Sequence, residues 1–138
     1  MKLLGLDLGS RTLGIAHCDN SGILASALVT LRFEEDDYAQ ALELLEPVIQ
    51  SEQPTKVVLG LPRHMNGTVG ERGEISLSFG ESLKERFGLE VIYWDERWST
   101  VSALKQLRSS NVKQKKRRQV VDQVAAVVIL QGYLDSLR

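Results

Sequence analysis

Three acidic residues lie in apolar surroundings where a charge is costly. Asp7 interrupts an apolar strand-like run, Glu96 follows a second such run, and Asp122 lies in an apolar helical stretch. A carboxylate buried without compensation is strongly unfavourable, so each acid is expected to meet a partner, a proton or a metal ion. Together the three acids suggest a metal-dependent active site.

The chemistry of such a site follows from its ligands. Two ionised carboxylates about 4 Å apart repel each other by roughly 4 kcal/mol at an effective dielectric constant of about 20, so a proton or a cation must lie between them. Oxygen ligands without histidine or thiolate favour Mg²⁺ or Mn²⁺ over zinc, and Mg²⁺ commonly completes its shell with water and substrate phosphates. Two such ions about 4 Å apart could activate water and stabilise the leaving oxygen of an in-line displacement. We therefore expect a phosphodiester substrate.

Each acid also has a structural alternative. Asp7 could pair with a buried basic group, and Glu96 could form a salt bridge with Arg97 or cap the next helix. Asp122 could simply stabilise the first turn of a helix. Asp95 is expected to face away from Glu96, because side chains alternate along a strand. The metal-site hypothesis therefore depends on the three acids as a set.

The acids must be positioned by a mixed sheet. Short β-type runs at residues 3–8, 13–18 and 23–31 are separated by turn-forming residues and predict an antiparallel meander. Further strands at 57–59 and 89–94 each follow a helix, and helical crossovers favour parallel pairing. The sequence thus predicts an α/β fold with a five-stranded mixed sheet flanked by helices.

Apolar residues at helical spacing predict the remaining elements. The predicted helices lie around 42–49, 75–87, 100–107 and 117–137. Gly60 is expected to end the fourth strand and open a long, glycine-rich loop from Arg63 to Gly73, which is a candidate lid because long loops in compact domains are usually functional or mobile.

The predicted topology brings the acids to one edge. The first strand is expected to be central because both of its faces are apolar. Ligands of such sheets gather at the strand carboxyl ends, where Asp7 and Glu96 both fall. On the last helix, the small residues Ala125 and Ala126 would let the helix approach the sheet and place Asp122 over the strand ends.

Composition sets limits on the class of protein. The chain has 138 residues, 43% of them hydrophobic and 25% charged, which suits one globular domain spanning 1–138. Lysine plus arginine (17) nearly balance aspartate plus glutamate (18), so any surface for a polyanion must be local. A single cysteine, Cys18, excludes an internal disulfide, and no cysteine–histidine set has zinc spacing. We expect a soluble, cytoplasmic protein without a membrane partner.

Basic side chains could hold a nucleic-acid backbone. They cluster at 113–118, just before Asp122, although such a cluster is also typical of a solvated flank. The candidate nucleic-acid-binding residues are Arg11, Arg97, Lys115, Lys116, Arg117 and Arg118. We interpret Trp94 and Trp98 as packing groups rather than base-stacking platforms, with stacking on a base as the alternative for Trp98. His17 is interpreted as an ordinary strand residue, and His64 as an exposed loop residue.

Several motifs together carry a resemblance to a known family. They are Leu6-Asp7-Leu8-Gly9-Ser10-Arg11-Thr12-Leu13-Gly14, Gly60-Leu61-Pro62 with Asn66-Gly67-Thr68, Asp95-Glu96-Arg97-Trp98-Ser99-Thr100, and Val121-Asp122 with Ala125-Ala126 and Ile129-Leu130. In this order, over essentially the whole chain, they resemble the YqgF/RuvX family. The resemblance implies a ribonuclease H-like fold and a nuclease that either trims the 5′ end of the 16S ribosomal RNA precursor or resolves Holliday junctions.

The resemblance also implies roles for individual residues. Asp7, Glu96 and Asp122 take the places of the family's acidic catalytic residues, and the segment Arg63–Gly73 that of a flexible loop. Many proteins of the wider ribonuclease H-like group carry a fourth acid near the last one. Here the position one turn after Asp122 is Ala125, so substrate phosphates would have to complete the shell of a second ion.

Three functional hypotheses follow. The first is a nuclease dependent on Mg²⁺ (or Mn²⁺) that processes pre-16S rRNA, with ribosomal precursor particles as candidate partners and a monomer or weak homodimer as the expected state. The second is a resolvase of branched DNA, and the third is a non-catalytic nucleic-acid-binding module with a nuclease fold. An actin-like ATPase, which the motif Asp7-Leu8-Gly9-Ser10 also resembles, is disfavoured because the chain lacks a second domain and further glycine-rich nucleotide motifs. Residues alone do not decide between RNA and DNA.

Overall fold

The computed structural model describes residues 2–101, 103–104 and 115–138, without the side chains of 115–120 and Asp122. Its strands are β1 (Leu3–Leu8), β2 (Thr12–Cys18), β3 (Ala25–Arg32), β4 (Lys56–Leu61) and β5 (Glu90–Asp95). They form a five-stranded sheet in the order β3-β2-β1-β4-β5. The pairs β3-β2 and β2-β1 are antiparallel, and β1-β4 and β4-β5 are parallel. The predicted mixed sheet with β1 at its centre is therefore confirmed.

In the part of the chain that the structure describes, three long α-helices flank the sheet. They are α1 (Tyr38–Glu52), α2 (Glu71–Phe87) and α3 (Lys115–Ser136), and a 3-10 helix (Glu96–Trp98) directly follows β5. The Asp37 side chain caps α1 by accepting a hydrogen bond from the Gln40 amide, and Gly88, with φ of 67°, ends α2 in the left-handed conformation as predicted.

The two faces of the sheet bury different sets of residues. Along β1, Leu4, Leu6 and Leu8 join the core beneath α1 and α2. The alternate residues of β1 point to the other face, where Leu3 packs with residues of α3. Because side chains alternate along a strand, Gly5 and Asp7 lie on this α3 face too.

Helix α3 lies unusually close to the central strand. A Cβ atom added at Gly5 would lie 2.6 Å from Leu130 Cβ and 2.9 Å from the Ala126 carbonyl oxygen. Ala125 and Ala126 are both fully buried. The prediction that these small residues allow a close approach is confirmed, and Gly5 is the residue of the sheet that makes room for it.

Some predicted boundaries were wrong. Strand β4 continues through Gly60 to Leu61, because Gly60 still pairs with Trp94 of β5. Helix α2 begins at Glu71, so the connecting loop is 62–70 and Gly73 is a buried helical residue. The last helix is described over Lys115–Ser136, close to the predicted 117–137. Half of the predicted helix 100–107 lies outside the described residues, and the described residues 101, 103 and 104 are helical.

No described helix combines the length and the apolar character that a membrane span requires.

Candidate active site

Asp7 lies near the carboxyl end of the central strand. Its side chain is on the α3 face, and only 2% of the residue is exposed. On one side Asp7 is paired with Gly14 of β2. On the other side, Leu6 pairs with Leu59 of β4, so Asp7 and Gly60, the next residues of these parallel strands, lie side by side.

Glu96 reaches the same place from β5. It is the first residue of the 3-10 helix and is only 4% exposed. A Cβ atom added at Gly60 would lie 2.7 Å from Glu96 Oε2 and 2.6 Å from Ile129 Cδ1 of α3, so the Glu96 carboxylate lies over Gly60 on the α3 face. Neighbouring strands are about 4.8 Å apart. The Glu96 carboxylate thus reaches from the end of β5 over β4, the strand next to Asp7, so the two acids lie on one face of the sheet at the carboxyl ends of its parallel strands.

The third predicted acid is carried by α3. The side chain of Asp122 lies outside the described residues, but its place in the helix is described. Gln131 accepts a hydrogen bond of 2.9 Å from the Ala25 amide, at the amino end of the sheet, whereas Ala126 lies over Gly5. Asp122 precedes Ala126 by about one turn and so lies nearer the carboxyl ends of the strands.

Asp95, the sequence neighbour of Glu96, belongs to the opposite face. Val91 and Tyr93 pack in the core under α1 and α2, and Asp95 continues that alternation, as predicted. Its carboxylate accepts hydrogen bonds of 3.1 Å from Arg97 Nε and 2.7 Å from Arg97 Nη2. Arg63 Nε lies 3.7 Å from the same carboxylate.

These contacts give Asp95 a structural role. Hydrogen bonds from the Arg97 side chain hold the pKa of Asp95 below its usual value and outweigh the opposing effect of burial. The same hydrogen bonds raise the pKa of Arg97. Asp95 Oδ1 also accepts a 2.9 Å bond from the Arg97 amide and so caps the 3-10 helix. Asp95 thereby sets the start of the segment that places Glu96.

Hydrogen bonds hold the loop 62–70 beside the site. His64 and Thr68 close a turn through a 2.9 Å backbone hydrogen bond from the His64 amide to the Thr68 carbonyl oxygen. Arg97 Nη1 donates a 3.2 Å bond to the Met65 carbonyl oxygen, which ties this turn to the segment that follows β5. Gly67 has φ of 92° and faces the Arg97 guanidinium, an arrangement suited to glycine.

The candidate nucleic-acid-binding residues differ in their surroundings. Arg11 is exposed, and its Nη2 lies 3.1 Å from Glu35 Oε2 in a solvent-exposed ion pair. Arg97 is engaged by Asp95 and the loop, so its contact with a phosphate stays a prediction. The side chains of Lys115, Lys116, Arg117 and Arg118 lie outside the described residues.

The remaining candidates are placed as follows. His64 is exposed, and His17 Nδ1 lies 2.8 Å from Glu52 Oε1, near the opposite end of the sheet. Trp94 packs against α3, whereas Trp98 is largely exposed. Among the side chains that the structure describes, no set of three or more His, Cys, Asp or Glu could hold a metal ion, and Asp122 is outside that set.

Sequence reasoning missed two glycines that shape the site. Gly60 leaves space for the Glu96 carboxylate, and Gly5 leaves space for the α3 backbone. Both interrupt apolar strand patterns, and a glycine inside a strand often marks the close approach of another group. That signal was present in the sequence.

The donor set of this site suits a hard cation. Asp7 and Glu96 offer carboxylate oxygens only, they are buried on one face, and the glycine beneath Glu96 keeps that face clear of a further side chain. Such ligands are typical of Mg²⁺ or Mn²⁺ rather than zinc.

Comparison with known proteins shows which family the chain matches. A family model described as "RuvX: Holliday junction resolvase" matches residues 1–136. A relative from Bacillus cytotoxicus, named "Putative pre-16S rRNA nuclease", is 48% identical over 136 residues, which cover 99% of each chain. A relative of the same name from Bacillus licheniformis is 48% identical over 137 residues, again covering 99% of each chain.

Solved structures support the fold. RuvC of Thermus thermophilus in complex with a Holliday junction substrate matches with a TM-score of 0.61 at 12% identity, over 99% of this chain and 95% of that chain. Fowlpox virus resolvase in complex with a Holliday junction matches with a TM-score of 0.56 at 12% identity, over 99% of both chains. The predicted ribonuclease H-like fold is confirmed by these likenesses.

Proposed function

The chain belongs to the RuvX family, and from that premise we propose that it is a Mg²⁺-dependent nuclease that processes the 5′ end of pre-16S rRNA. The observation that carries the proposal is the burial of Asp7 and Glu96 on one face of the sheet, at the carboxyl ends of its parallel strands, with the Glu96 carboxylate over Gly60 beside Asp7. The names of relatives that share nearly half of the sequence support the choice of substrate.

Asp7, Glu96 and Asp122 are the residues that would hold the ion, with Mn²⁺ as an alternative to Mg²⁺. A bound divalent ion supplies charge stabilisation to a phosphoryl oxygen and lowers the pKa of water. The chain itself contributes a rigid placement of the ligands. Burial keeps the carboxylates of Asp7 and Glu96 away from competing solvent, and the Asp95–Arg97 pair fixes the backbone from which Glu96 extends.

Basic side chains would hold the RNA backbone around this centre. Arg11, Arg97 and the basic residues of the segment 115–118 are the proposed phosphate contacts, since phosphate contacts position a nucleic acid without reading its sequence. We further propose a cytoplasmic protein of one domain that acts as a monomer or weak homodimer on ribosomal precursor particles.

A second candidate function is resolution of Holliday junctions. The observation that favours it is the description carried by the matching family model. A resolvase must cut two strands, and hence needs two sites, so a stable homodimer would favour this alternative.

One experiment tests these proposals together. Purified protein is incubated with 5′-extended 16S precursor and with a four-way DNA junction, in Mg²⁺ or in EDTA, beside the variants Asp7→Asn and Glu90→Gln. Glu90 is an exposed acid at the amino end of β5, where it pairs with Lys56, and it is a matched control for losing a carboxylate. We expect Mg²⁺-dependent cleavage of the precursor by the wild type and by Glu90→Gln only.

Other outcomes of this experiment decide against the proposal. Cleavage of the junction alone would replace it with the resolvase function. Cleavage by Asp7→Asn at the wild-type rate would indicate a contaminating nuclease and remove the role of Asp7. Salt-dependent RNA binding without cleavage under any condition would favour the non-catalytic binding module.

A further inference from the structure

The sequence predicted that Trp98 is a packing group, but the structure leaves most of its side chain exposed. Its side chain is largely in solvent, with 65% of the residue exposed, whereas Trp94 packs against α3 as predicted. A single exposed apolar residue is common on protein surfaces and by itself indicates nothing. The position and the support of the Trp98 ring distinguish it from such a residue.

The position of Trp98 is set by the segment that carries Glu96. Trp98 is the last residue of the 3-10 helix that Glu96 begins. The Arg97 amide is bound to Asp95, and the Ser99 amide and hydroxyl both donate to the Glu96 carbonyl oxygen, at 3.3 and 3.2 Å. The exposed indole is therefore anchored two residues from a proposed catalytic carboxylate.

The ring itself has a firm support. Trp98 meets Trp94 edge to face, with ring centroids 5.0 Å apart and an interplanar angle of 85°. Trp94 in turn meets Tyr133 at 6.5 Å and 85°. A Cβ atom added at Gly132 would lie 2.9 Å from the Trp94 ring, so α3 is packed tightly against it. These edge-to-face aromatic contacts hold Trp98 in place while most of its surface stays exposed.

We infer that Trp98 is a stacking platform for an unpaired RNA base next to the phosphodiester that is cut. Aromatic side chains bind single-stranded nucleic acids by stacking on base faces, which is favourable for any base. Positive charge lies beside this segment, since Arg97 directly precedes Trp98 and Arg63 lies 3.7 Å from the Asp95 carboxylate that Arg97 also binds.

This inference rests on the proposed function and narrows its substrate class. In a continuous duplex each base is stacked on its neighbours and offers no free face, so Trp98 can act only on a base that is single-stranded or unstacked. The preferred substrate is then a single-stranded stretch of precursor RNA rather than a continuous duplex.

The test compares binding to single-stranded RNA and to blunt duplex RNA of the same sequence, with fluorescein labels and in EDTA so that neither is cut. Trp98→Ala should weaken single-strand binding about tenfold or more, while Trp98→Phe keeps it within about threefold of wild type. Duplex binding should not change. Leu24→Ala is the matched control, because Leu24 is 64% exposed in the turn between β2 and β3 and should have no effect.

Equal single-strand affinities of wild type and Trp98→Ala would overturn the stacking role, as would equal losses for single-strand and duplex RNA. Far-UV circular dichroism checks that each variant is folded. Failure of the proposed function is a separate result: the precursor would stay uncut in Mg²⁺ while Trp98→Ala still weakened single-strand binding.

Discussion

The two faces of the sheet are built from the same strands but have different roles. On the face under α1 and α2, the central strand contributes Leu4, Leu6 and Leu8, and the core is closed and apolar. On the α3 face the same strand contributes Leu3, Gly5 and Asp7. The comparison teaches that one strand can supply stability on one side and chemistry on the other, because its side chains alternate.

The adjacent acids Asp95 and Glu96 show the same contrast between a structural face and a face with a proposed chemical role. Asp95 faces the α1–α2 side and is neutralised by Arg97 and Arg63, which makes it a structural residue. Glu96 faces α3 and lies over Gly60, beside Asp7. Substitutions on the two faces should therefore separate activity from stability.

The largest effect is expected for the acid of the central strand. Asp7→Asn should lower cleavage of the RNA precursor at least about 10³-fold, because it removes a proposed metal ligand while keeping the shape of the side chain. Single-turnover cleavage in Mg²⁺ measures this, and salt-dependent RNA binding should stay nearly intact. A variant that still cleaves within tenfold of wild type would place the chemistry elsewhere.

The neighbouring residue on the other face should affect stability instead. Leu6 is fully buried, so Leu6→Ala should lower the free energy of unfolding by about 3 kcal/mol, through lost burial and a cavity. Urea titration followed by circular dichroism gives this value. Where the variant remains folded, its rate of cleavage should match wild type, and a large fall would show that the two faces are not independent.

A methyl group added at a glycine should slow cleavage on the α3 face but not on the α1–α2 face. Gly60→Ala would push on Glu96 and Ile129, so we expect about 1–3 kcal/mol of destabilisation together with at least tenfold slower cleavage. Gly80→Ala is the matched control, because its new methyl group meets Tyr93 on the α1–α2 side. Equal losses of activity in the two variants would contradict a special role for the space above Gly60.

The Asp95–Arg97 pair should make stability depend on pH. Because the pKa of Asp95 is lowered in the folded protein, its contribution is present above the ordinary value near 3.8 and is lost as the pH falls through the lower folded pKa. Asp95→Asn should cost about 2 kcal/mol at pH 7 and less at pH 3, below the ordinary pKa of the group. Urea unfolding at both pH values measures the difference, and the same loss at both would refute the ionic contribution.

The smallest effect is expected outside both cores. Arg11 is exposed and its pair with Glu35 is solvated, so Arg11→Ala should leave the unfolding free energy within about 0.5 kcal/mol of wild type. If Arg11 contacts a phosphate, RNA affinity should fall modestly, and the slope of affinity against salt should decrease by about one. An unchanged salt slope would remove Arg11 from the nucleic-acid-binding surface.

Much of the fold was predictable from local patterns. The turn residues and the short β-type runs between them predicted the meander, and the helices between later strands predicted the parallel pairs. The end of β4 and the start of α2 were not predictable. Glycine and proline after Leu59 suggest a loop, but pairing with β5 extends β4 to Leu61. Helix α2 begins at Glu71, within the segment that its glycines suggested was a loop.

The candidate site was predictable in its residues but not in its assembly. Asp7 stands out in sequence because a charge inside an apolar strand needs an explanation. By contrast, the engagement of Arg97 by Asp95 and the loop depends on groups far apart in the chain, since Met65 lies 32 residues before Arg97. No local pattern indicates that contact.

The sequence by itself determined which residues alternate, and hence that Asp7 and the leucines beside it must face opposite sides of a strand. It also determined that Asp95 and Glu96 could not share a side. Only the tertiary structure decided that Glu96 lies over Gly60 and that α3 crosses Gly5, because these approaches depend on the register of parallel strands and on how closely a helix packs. Side-chain periodicity is a local property of the chain, whereas the distance between two strands or a helix and a sheet is set by everything packed around them.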